Sequence, residues 1–155
     1  ITIGFSGILI LMGDPSQTRK ADLGQIPSAT VKRLREQGVD SKIDLYLSMS
    51  NKPNFSKISK KLEAKPKGFM TQVVQNIDQV QNLADNLKGY LIIPIILFPS
   101  DKNEKSAKFL NMDLTEYSKN FDEFVNKVHK ITGDILLTSP SDFTGLNNFL
   151  EKPIN

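Results

Sequence analysis

Two carboxylates and a lysine, Asp44, Glu63 and Lys65, are of the types that can together handle a phosphodiester. Carboxylate oxygens are hard ligands suited to Mg²⁺, which keeps bound waters that can become nucleophiles. A lysine on the same face can orient or deprotonate such a water, or stabilise the charge that builds on phosphorus. The three side chains have to converge for this chemistry, and convergence depends on the elements that carry them.

Residues 43–49 alternate, with Ile43, Leu45, Leu47 and Met49 on one side and Asp44, Tyr46 and Ser48 on the other. That period predicts a strand with one buried face. After the turn residues Asn51-Lys52-Pro53-Asn54, a second strand is expected over 56–65, where Ile58, Leu62 and Ala64 share one parity and Lys57, Ser59, Lys61, Glu63 and Lys65 the other. Paired as an antiparallel hairpin over 43–65, the strands set Asp44 opposite Glu63, with Cβ atoms ~5 Å apart. Like charges so placed destabilise a ladder unless a cation or proton lies between them. Mg²⁺ is one such cation. Lys61 and Lys65 are others, and they would make the same face an ordinary salt-bridged surface.

This arrangement resembles the PD-(D/E)XK nuclease family, in which an Asp opens one strand and an acid-X-Lys triplet lies on the next. Glu63-Ala64-Lys65 matches the triplet and Asp44 stands as the first acid. The resemblance covers residues 36–98. It implies metal-dependent hydrolysis of phosphodiesters with Asp44 and Glu63 binding Mg²⁺ and Lys65 catalytic. It also implies supporting roles for Glu36 as an additional acid and for Gln75 or Gln79 from the following helix.

Charge is consistent with an acidic partner without requiring one. The chain of 155 residues carries a net charge of +3. Between Lys52 and Lys67 the lysines Lys52, Lys57, Lys60, Lys61, Lys65 and Lys67 face a single acid, Glu63. Such a run reads either as a surface for nucleic acid or an acidic protein, or as an edge strand protected from aggregation by its lysines. There is no cysteine, which excludes disulfides and thiolate metal sites. No apolar run reaches the ~18 to 20 residues that span a bilayer. The chain opens on Ile1 rather than Met, so an upstream signal or anchor is compatible with it.

The remaining pattern points to a single α/β domain over 1–155, with a mixed sheet of about five strands flanked by about four helices. Strands are expected at 1–12, at 90–98 and at 134–138. Pro94 lacks an N–H and so implies an edge or a bulge in the second of these. Helices are expected at 29–37, at 69–88, along Leu114 to Val128 behind an Asp113/Glu116 capping box, and from Phe143 to Leu150. Residues 16–25 have no periodicity and read as an irregular loop. The triplets Asp14-Pro15-Ser16, Pro99-Ser100-Asp101 and Pro140-Ser141-Asp142 are turn and cap chemistry at three strand exits.

His129 is the single histidine, near a helix end where a charge suits the dipole, which argues against a triad or a histidine metal cluster. Two readings compete. One is a metal-dependent nuclease or a nucleic-acid-binding relative. The other is a non-enzymatic module of a larger assembly, such as a secretion or envelope complex, whose lysine-rich segment meets an acidic partner. A third, a small-ligand binder at the strand exits, needs a pocket near Ser16, Ser100 and Ser141.

Overall fold

The computed structural model describes residues 4–11 and 26–151. Five strands, β1 (Gly7–Ile10), β2 (Asp44–Met49), β3 (Gly68–Val73), β4 (Leu91–Leu97) and β5 (Leu136–Thr138), form one sheet in the order of the chain, and every pair is parallel. Parallel neighbours need a crossover, and crossovers of one hand between consecutive strands deliver their helices to one face. The helices are α1 (Pro27–Glu36), α2 (Ser59–Glu63), α3 (Ile77–Asn86), α4 (Glu104–Phe109), α5 (Leu114–Lys119), α6 (Phe121–Thr132) and α7 (Phe143–Leu150).

The core lies between the sheet and these helices. Leu45, Leu47, Met49, Phe69 and Ile92 pack against Val31 of α1, Ile58 before α2, and Leu83 and Leu87 at α3. A second cluster joins Ile96 to Val80 of α3 and to Phe121 and Val128 of α6. The opposite parity, Leu9, Tyr46, Met70, Ile93, Ile95 and Leu136, faces away from this layer and is only partly covered.

The expected antiparallel hairpin over 43–65 is absent, and the sheet is parallel rather than mixed. Residues 56–65 form a short 3-10 turn (Phe55–Lys57) and α2 in place of a strand. Ile58 and Leu62 are four apart, a spacing that fits one face of a helix as well as one face of a strand. Asn54 starts the turn by accepting the Ser56 N–H at 3.1 Å. Pro66 disfavours helix at the residue before it, and Lys65 there has φ 50. Besides β1, the partner of β2 is therefore β3, which occupies the first quarter of the stretch expected to be helical. The helix proper starts at Asn76, whose side chain accepts the Gln79 N–H at 3.1 Å.

Pro94 lies in a central strand, and a bulge accommodates it. Met70 pairs with Ile93 but Val73 pairs with Ile95, so β3 carries the extra residue. Thr71 Oγ1 accepts the Ile95 N–H at 3.2 Å, which satisfies a donor where the ladder is interrupted. The long helix expected after Asp113 is divided at Asn120 into α5 and α6. Asp113 Oδ1 does cap it, accepting from Thr115 and Glu116. The loop expected at 16–25, and the first triplet with Ser16, fall outside the described residues.

Candidate functional site

Asp44 opens β2, and Lys67, one residue before β3, is its cation at 3.9 Å. Tyr46 donates to the same carboxylate at 3.4 Å. Burial, followed by the neighbouring Asp44 charge, raises the Tyr46 pKa. Glu63 ends α2 with an exposed side chain, and Lys65 is exposed in the turn that follows. With Glu63 on a helix, the face-to-face placement that the hairpin offered to Asp44 does not arise. Among the described residues no group of three or more His, Cys, Asp or Glu is placed to hold a metal ion. The charged partner of Asp44 is Lys67 and not the Glu63 of the expected pair.

The lysine run is likewise divided. Lys67 lies at the amino ends of the strands, whereas Lys52 and Lys61 line a cleft at their carboxyl ends. Lys57 and Lys60 are exposed along the connection between. Glu36 is exposed at the end of α1, where its neighbour Arg35 pairs with Asp40 at 2.9 Å. His129 is exposed in the last turns of α6. Gln75 and Gln79 border the same cleft as Lys61, whose lining includes neither Asp44 nor Glu63.

This cleft has a volume of about 950 Å³. Its floor comes from the partly covered sheet face, through Leu9, Met70 and Ile95, and its rim from the loop after α4. It lies at the carboxyl ends of the strands, beside the loops that leave them, although the sequential strand order has no point of reversal to open a crevice between neighbouring strands. Three amides pin those loops. Asn51 donates to the Val73 carbonyl at 2.7 Å, Gln75 donates to the Leu110 carbonyl at 3.0 Å, and Gln79 Oε1 accepts the Gln75 N–H at 2.8 Å. The Gln72 amide also borders the cleft, is exposed, and has no partner among the described residues.

Lys61 reaches the cleft from α2, which the strand expectation could not have foreseen. Its ammonium donates to the Ser48 carbonyl at 2.5 Å, and burial lowers its pKa. Among the described residues it has no carboxylate partner.

A second polar cluster ties the exits of β4 and β5. Asp142, at the N-cap of α7, accepts from the Ser100 hydroxyl at 2.5 Å, from Lys102 at 2.9 Å and from the Gly145 N–H at 3.1 Å. The Ser100 hydroxyl, then Lys102, hold its pKa down at about 2. Fully buried Asn103 completes the tie, donating to the Phe98 carbonyl and the Ser139 hydroxyl and accepting the Ser141 N–H. Every one of these groups is engaged by another, so the cluster is a clasp. The recurrence of Pro-Ser-Asp at 99–101 and 140–142 was its visible trace in the sequence.

Among the described residues no helix is long and apolar enough to cross a membrane. No family model matches the chain, and no curated protein matches it.

Proposed function

We propose that this domain binds a small molecule in the cleft at the carboxyl ends of β1 to β4. The observation that carries this reading is the convergence on one cavity with an apolar floor of several amides and a half-buried lysine that has no carboxylate partner among the described residues. The cleft is more polar than most ligand sites, but it combines the two things such a site needs, an apolar surface to cover and polar groups that fix orientation. The cavity also lies within the 300–1,000 Å³ range usual for such sites. The nuclease reading depended on Asp44 facing Glu63 across a hairpin, and without that pairing the cleft is the better supported site.

The test is a fragment screen read by amide chemical shifts. Ligands are expected to move resonances of residues 48–52, 70–75 and 109–111 together, and Gln72→Trp, which fills the cleft from its open side, is expected to abolish the shifts. Shifts that appear elsewhere, or that survive Gln72→Trp in a folded protein, would falsify the reading.

A further inference from the structure

Resting on that reading, we propose that the ligand is a small organic anion whose negative group is met by the ammonium of Lys61. The charge of the wall is the first argument. Two lysines, Lys52 and Lys61, line the cleft, and none of its described lining residues is acidic. Lys108, Lys119 and Lys127 meet carboxylates on their own helices, whereas Lys61 is partly buried in the cleft wall with no acid beside it among the described residues.

Geometry is the second argument. A lysine ammonium has three donors. One is held by the Ser48 carbonyl, which fixes the ammonium at the wall, and two are left for a ligand. Burial costs the ammonium part of its hydration, and an anion in the cleft offsets that loss with a charge-assisted hydrogen bond. A carbonyl oxygen holding the cation steers it but does not neutralise it.

The organic part of the ligand follows from the rest of the lining. Met70 and Ile95 give an apolar floor, and at the rim Leu11 and Phe109 are 59% and 90% exposed. Exposed side chains of this size gain from covering by a ring or an alkyl group. Inorganic phosphate satisfies the lysines and leaves these surfaces wet. A carboxylate or a phosphate monoester carried on an apolar or cyclic body satisfies both.

The two anionic groups are separated by titrating the protein with benzoate and with phenyl phosphate. Benzamide serves as the neutral counterpart, and inorganic phosphate as the anion without a body. At least one of the two organic anions is expected to bind at least tenfold more tightly than both benzamide and inorganic phosphate, and whichever binds names the group. Lys61→Met is expected to reduce that affinity at least tenfold and to leave benzamide unchanged, with Lys57→Met as a control outside the cleft. Should Lys61→Met not fold, Lys61→Gln serves, and in the unaltered protein binding is expected to raise the pKa read at the Lys61 Cε resonance. Benzamide binding as well as the anions would overturn the anion assignment while leaving the cleft reading standing. Inorganic phosphate binding as tightly as phenyl phosphate would overturn the organic part. Binding of none of the four, in a protein whose cleft resonances also fail to respond to the fragment screen, overturns both readings.

Discussion

At the scale of single residues, the cations decide what the carboxylates do. Asp44, with Lys67 3.9 Å away and both side chains about half exposed, forms the kind of ion pair that contributes little to stability. Asp142 differs because a hydroxyl, an ammonium and a backbone N–H converge on one carboxylate that is only 10% exposed. Its folded pKa of about 2 lies below the ordinary 3.8. The group therefore stabilises the fold above pH ~4 and loses that contribution as the pH falls from ~4 towards 2. Asp142→Asn is expected to unfold at lower denaturant concentration than the native chain at pH 6. The difference should narrow steadily as the pH falls to 2, and a difference independent of pH would show that ionisation of Asp142 is not what stabilises the clasp. Neither partner of Asp142 could be read from its neighbours in sequence, since Ser100 and Lys102 are about forty residues away.

At the scale of elements, local capping chemistry was more informative than apolar spacing. Asp113, Asp142, Pro27 and Gly38 mark helix ends as their types imply, with Gly38 at φ 72. Apolar spacing misled twice. Met70, Val73, Val74 and Ile77 match a helical repeat, yet the first two belong to β3, which has side chains covered on both faces, where period alone cannot separate strand from helix. Asn76 with Gln79 three residues on carries the start signal of the helix. Two changes test the strand assignment. A Cβ at Gly68 would lie 2.2 Å from the Leu91 carbonyl oxygen, so Gly68→Ala is expected to cost at least ~2 kcal/mol in chemical denaturation. Thr71→Val keeps the shape of a buried side chain but deprives the Ile95 N–H of its acceptor, and the expected loss is about 1–3 kcal/mol. A Thr71→Val protein as stable as the native one would mean that the bulge opposite Pro94 does not depend on this hydrogen bond.

At the scale of the whole molecule, one face of the sheet carries the helices and the other is partly open, and the cleft lies where the open face meets the carboxyl ends of the strands. The interior strands β2, β3 and β4 are paired on both sides, while β1 and β5 each have one partner among the described residues. Hydrogen exchange is expected to be slowest in β3 and β4 and at least ~10-fold faster in β1 and β5. Protection of β1 equal to that of β3 would show that its outer edge is paired in solution. The α/β character of the chain, the alternation of β2, the breaks at Gly38 and Gly133 and the caps of the later helices are legible in the residues alone, because these depend on contacts within a few residues. Tertiary structure alone decided that 56–65 turns into a helix, that β2 pairs in parallel with β3, and that Lys61 joins Gln75 and Gln79 at one cleft while Asp44 meets Lys67. Those outcomes rest on which distant segments bury each other's apolar faces, and a spacing of four between Ile58 and Leu62 satisfies a strand and a helix alike until the rest of the core is in place.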